Sequence, residues 1–155
     1  MISKVHGKFN EFEGALVLDG ANPEKSTASL TIQATSIDTN SADRDTHLRS
    51  AEFFDAENMP TLTFVTTSVV PKSDAGAFNL HGDLTIHGVT QPVIIEVEVQ
   101  GVGQDPWGNT RVGLEGETEI SRKDFGLEWN APLAAGGVLV GDKIKITLDI
   151  EAVKA

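Results

Sequence analysis

Residues 44–55, RDTHLRSAEFFD, bring two arginines, a histidine, three acids and a pair of phenylalanines into twelve positions. Two chemistries suit such a cluster. His47 acting as a general base, oriented by Asp45, would make an enzyme site for a hydrophobic substrate. Arg44, His47 and Arg49 could instead meet the polar head of an apolar ligand, with Arg122 and Lys123 in SRKDFGLEWN as a second pair of contacts. The plainest reading is structural. Arg44, Asp45, Arg49 and Glu52 pair among themselves and pin a short helix, because exposed helix ion pairs are common and individually weak.

Other chemistries lack their residues. The chain has no cysteine, which removes disulfides, thiolate metal sites and cysteine nucleophiles. His81 and His87 share a strand face but lie ~20 Å apart, too far to hold one ion. No serine sits in a GxSxG elbow, and GVG and AGGVLVG lack the lysine and the strand-to-helix context of a phosphate loop. The acids Glu96, Glu98, Glu115, Glu117 and Glu119 fall on alternate positions, as solvated outer faces do. Twelve basic against 23 acidic residues give a net charge of −11, which repels nucleic acid and anionic membranes. The expectation is therefore a non-catalytic protein with no cofactor and no metal.

The elements that would position these residues are strands. Period-two alternation recurs along the 155 residues, which suit one domain over 1–155. Ile32 shares an apolar face with Ala28, Leu30 and Ala34; Leu62 pairs with Phe64; Phe78, Leu80, Leu84 and Ile86 form a third face. Ile95 and Val97 follow, then Leu114 and Ile120, then Ile146 and Leu148. Turn signals such as PKSDAGA, HGVTQP and DPWGN join antiparallel neighbours into a meander. Glycines 82, 101, 103 and 116 interrupt the inward faces, where tight coiling would want them. The single helix candidate is SADRDTHLRS, with Ser41 as cap, Asp43 and Asp45 at its positive end and Arg49 at the other. Leu48, Phe53 and Phe54 would seat it as a lid on a barrel end. Phe125 and Trp129 would pack inside, beside a turn fixed by Asp124 and Gly126.

These features predict an all-β barrel whose apolar residues line a tunnel. A barrel of eight strands either fills with its own side chains or encloses one elongated ligand. Small inward residues among medium aliphatics favour the cavity. A filled barrel acting as an interaction module is the alternative.

The motifs GKFNEFEG, SIDTNSADRDTHLRSAEFFD, MPTLTF, GDLTIHGVTQPV, DPWGNTRVG, SRKDFGLEWN and GVLVGDKIKI resemble, along the whole chain, the YceI-like family of polyisoprenoid-binding proteins. The resemblance implies an extended antiparallel eight-stranded lipocalin-like barrel with residues 41–55 as a helical lid. It implies a long-chain isoprenoid ligand, a polyprenyl phosphate or a quinone, bound for transport or storage without catalysis, and a role in stress response. It implies no stable membrane insertion. The family ordinarily carries a further N-terminal strand with an HS pair, which the sequence does not show ahead of MISKVHGKF. Without that strand the seam would expose backbone and invite a second chain, giving a homodimer. The chain as given reads as cytoplasmic, and as periplasmic or secreted if an N-terminal signal precedes it.

Overall fold

The computed structural model describes residues 4–134, 136 and 140–155. Its strands are β1 (Lys8–Phe9), β2 (Phe12–Val17), β3 (Thr27–Gln33), β4 (Ile37–Asp38), β5 (Thr61–Pro71), β6 (Ala77–Ile86), β7 (Val89–Gln104), β8 (Thr110–Ser121) and β9 (Lys143–Val153). Helix α1 (Ala42–Arg49) lies between β4 and β5, where the sequence placed it.

One antiparallel sheet runs β2-β3-β5-β6-β7-β8-β9, and β1 pairs with β4 as a separate ribbon. The sheet curls strongly into a half-barrel. The expected curl and meander are present, but the main sheet has seven strands rather than eight. Among the described residues β2 and β9 each have a single partner. No described strand closes the seam between them.

Alternation seats the core. Leu62, Phe64, Leu84, Ile86, Ile95, Val97, Ile120 and Phe125 are buried together, with Ala34, Ala56 and Leu127 joining them. Two bulges shift the pattern. In β5 the register slips between Thr66 and Ser68, which brings Val69 to the inner face opposite Leu80. In β7 it slips between Val99 and Gly101, after which Gly101 and Gly103 stand opposite Gly113 and Arg111. These two glycines therefore do not interrupt the inward face as the alternation suggested, since one extra residue turns each later side chain to the opposite side. Gly82 and Gly116 do face inward. A Cβ on Gly116 would come within 3.2–3.4 Å of Leu148 and Ile95.

At Gly82 a Cβ would lie 2.5 Å from the Phe64 ring and 2.6 Å from the Val65 carbonyl oxygen. The ring fills the space of the absent side chain, and the carbonyl belongs to the strand ladder and cannot retreat. Gly82→Ala is expected to cost about 1–3 kcal/mol in urea unfolding, the range of core overpacking. A stability equal to the native chain would show that β5 and β6 separate freely there.

Candidate functional site

The concave face of the half-barrel is an apolar wall. Leu62, Phe64, Leu84, Ile86, Ile95, Val97, Ile120 and Phe125 form its packed part. Ile32, Leu80, Leu114, Ile146 and Leu148 border that part and are half-buried, and Phe78 is also half-buried. One row crosses the sheet as Phe78, Val97, Gly116 and Leu148 in register. Polar residues on this face have partners. Gln91 donates to the Asp124 carbonyl at 3.0 Å, and Thr118 donates to the Ile94 carbonyl at 2.9 Å.

The wall stays apolar to both sheet edges. Along β9 the inward positions Ile144, Ile146, Leu148 and Ile150 are each half-buried, while the alternate positions are exposed. On the other edge Phe12 stands opposite Ile32 on the same face, yet remains 52% exposed. Phe12 was absent from the sequence-predicted wall. Only its register with Ile32 puts it there, because FNEFEG carries too little alternation to assign a face.

The lid is pinned through the segment that leads into it. Asp45, expected to complement the helix dipole, turns back and is buried, accepting from the Thr39 amide at 2.9 Å and from the Thr39 hydroxyl. Arg44 donates to the Thr39 hydroxyl at 2.8 Å and to the Thr39 carbonyl at 2.7 Å. Arg49 donates to the carbonyls of Thr35 and Ile37. These three charged residues thus hold the lid through Thr39 and backbone carbonyls rather than by the mutual pairing expected, and Glu52, the fourth of that set, meets His47 instead. Backbone groups between β3 and α1 supply partners that an exposed ion pair could not match.

His47 Nε2 meets the Glu52 carboxylate in a hydrogen-bond contact, and its ring stacks edge-on against Phe53 and Trp129, at centroid distances of 5.0 and 4.6 Å. Asp45 does not orient it. The dyad required by the enzyme reading is therefore not assembled from these two residues. Trp129 is half-buried in this aromatic group, so it belongs to the lid contact. Asp45→Ala is expected to cost about 2–3 kcal/mol, because it strands the buried Thr39 amide. Asp45→Asn, which keeps an acceptor, should cost clearly less, and equal losses in denaturant titration would overturn this assignment.

Arg122 is buried and points at carbonyls. It donates to Gly141 at 2.8 Å, Leu127 at 2.7 Å, Trp129 at 3.2 Å and Val140 at 3.4 Å. Burial pushes its guanidinium pKa down, against the opposing charge of Asp142. The sequence suggested it as a head-group contact, but its donors are already held within the chain. Lys123 beside it is exposed. The predicted cations thus divide into three residues that fasten backbone, one histidine in an aromatic stack, and one exposed lysine.

Among the described residues no group of three His, Cys, Asp or Glu could hold a metal ion, and no helix is long and apolar enough to cross a membrane. His87 lies in the β6–β7 turn with φ 55°, so it does not share a strand face with His81.

A curled antiparallel half-barrel with an apolar inner wall and a helix at one end belongs to the lipocalin-like barrels. The YceI-like domain matches residues 1–152, and the chain is a member of that family. It is 44% identical over 126 residues to protein YceI of Escherichia coli O157:H7, a match covering 81% of this chain and 65% of that protein. The match thus spans just under two thirds of the relative's length. The crystal structure of Campylobacter jejuni YceI is 27% identical with a TM-score of 0.82, covering 100% of this chain and 88% of that one. A polyisoprenoid-binding domain from Saccharophagus degradans, implicated in plant cell wall breakdown, shares the fold at 18% identity and a TM-score of 0.60, over 79% of this chain and 68% of that one.

Proposed function

We propose that this protein binds a long-chain isoprenoid lipid, of the polyprenyl phosphate or isoprenoid quinone type, and carries or stores it unchanged. The observation that supports this reading is the incomplete cover of the inner wall. Phe12 at one sheet edge is exposed, and Ile146 and Leu148 at the other are only half-buried among the described residues, though all three are apolar and inward. A filled barrel would bury them.

An isoprenoid tail suits such a wall because it brings methyls and no hydrogen-bonding groups. Each methylene taken from water contributes about 0.8 kcal/mol, so a long tail offsets the cost of association without a specific polar contact. The fold shared with a polyisoprenoid-binding domain agrees with this reading. Lys123 is the exposed cation nearest in sequence to the Arg122 clamp and is the proposed partner for an anionic head.

Native mass spectrometry of freshly purified protein tests the proposal. A co-purifying lipid, or uptake of an added polyprenyl phosphate or isoprenoid quinone, is the expected result, and the lipid should be recovered at unchanged mass. Neither retention nor uptake would leave the filled barrel as the better account.

A further inference from the structure

The β7–β8 hairpin reaches beyond its neighbour. The last β6–β7 pair is Ala77 with Glu98, and the Val99 amide donates to the Gly76 carbonyl at 2.8 Å. From there to Gln104 the strand has β8 alone beside it, an overhang of about 20 Å. This tip lies at the end of the sheet opposite α1, since α1 follows the end of β3 and β7 begins at that same end.

The turn at the tip is firmly built. The Asp105 carboxylate accepts from the amides of Trp107 and Asn109, both at 2.9 Å, and from Arg111 Nε at 2.7 Å. Arg111 beside it holds the Asp105 carboxyl down to about 2, so the pair stays charged and mutually satisfied at neutral pH. Gly108 takes φ +84° to close the turn. All this holds out a tryptophan: Trp107 is 79% exposed, and Val102 on the same hairpin is 68% exposed.

Charge separates this tip from the rest of the surface. Residues 99–111 contain one acid, Asp105, and one base, Arg111, for a net of zero in a chain of −11. Glu151 and Lys154 on the adjacent strand end again sum to zero. A rigid tip of zero net charge that presents an exposed indole on an acidic protein meets little repulsion at a bilayer, and an indole prefers the interfacial layer, where its ring is apolar and its N–H stays wet.

We propose that the β7–β8 hairpin is a membrane-docking device, in which Trp107 enters the interfacial layer of a zwitterionic bilayer and sets the end of the half-barrel without the lid against it. The docking is peripheral and reversible, because one aromatic side chain cannot anchor a protein permanently. The inference extends the carrier reading, since a carrier of a bilayer lipid must meet the bilayer.

Vesicles of pure phosphatidylcholine, free of isoprenoid, test it on the 155-residue chain. Co-sedimentation with the vesicles and quenching of Trp107 emission by brominated phosphatidylcholine are expected. Trp107→Ala should weaken co-sedimentation roughly tenfold, on the scale of one buried aromatic side chain, and leave thermal unfolding unchanged. Trp107→Phe should recover part of the loss. No vesicle binding, or equal binding by the native and alanine forms, would overturn the inference. So would a Trp107 emission shift that follows protein concentration without vesicles, which marks a protein contact. A chain that retains isoprenoid but ignores vesicles defeats this inference alone, and one that binds vesicles but never isoprenoid defeats the carrier reading alone.

Discussion

Arg122→Met is expected to lower the unfolding free energy by about 3 kcal/mol or more, because it leaves several buried carbonyls without their charged donor at once. Methionine keeps the aliphatic volume and removes every donor. The carbonyls of Leu127, Trp129, Val140 and Gly141 then lose the group on which they converge. Those carbonyls come from the connection between β8 and β9, whose described residues include a 3-10 turn at Arg122–Phe125. The guanidinium is therefore its organising centre. Arg122→Lys keeps the charge but not the planar fork and should fall between the two. Urea unfolding with an unchanged slope would read these losses directly. The lid should respond as well, because Trp129 packs against both His47 and Phe53, and near-ultraviolet circular dichroism would report the loosened aromatic group. If Arg122 served a ligand head instead, Arg122→Met would weaken lipid retention and leave stability within 1 kcal/mol, on the scale of a surface substitution.

The residues most legible in the sequence were those whose partners lie two positions away. Alternation along Phe78, Leu80, Leu84 and Ile86 needs no knowledge of the rest of the chain, because pleating alone sends these side chains to one face. Ser41 as helix cap was legible for the same reason, and its hydroxyl accepts from the Arg44 amide. Bulges broke the inference. Nothing in VQGVG announces that one residue is skipped, yet the slip at Val99 turns Gly101 outward and Val102 toward Val112. Charged residues were misread for a different cause. Asp45 had two competing attractions, the helix dipole and the Thr39 amide, and the second wins because it is a direct hydrogen bond in a buried place. Arg122 depends on carbonyls up to 19 positions away, so no local pattern could reveal it. Trp107 stood in plain view in DPWGN, but its exposure follows from the length of the overhang beyond β6.

Ile146→Trp is expected to reduce isoprenoid uptake at least tenfold while leaving the melting temperature within a few degrees of the native chain, since tenfold corresponds to about 1.4 kcal/mol or about two displaced methylenes. The position is chosen for where the added volume goes. Ile146 lies on β9 opposite Thr118, on the inner face, half-buried, and β9 has no described strand on its far side. An indole there projects into the trough and takes the surface that a lipid tail would cover. Leu84 is the instructive contrast. It is 8% exposed and packed within the buried cluster beside Phe64, so Leu84→Trp forces extra volume into filled space and should lose about 1–3 kcal/mol of stability together with binding. That substitution tests the core, whereas Ile146→Trp tests the trough. Measured side by side, by lipid uptake in native mass spectrometry and by thermal unfolding, the two should separate binding from folding. Undiminished uptake by Ile146→Trp would remove the open wall from the binding site, because a tail lying along β9 cannot share that volume with an indole.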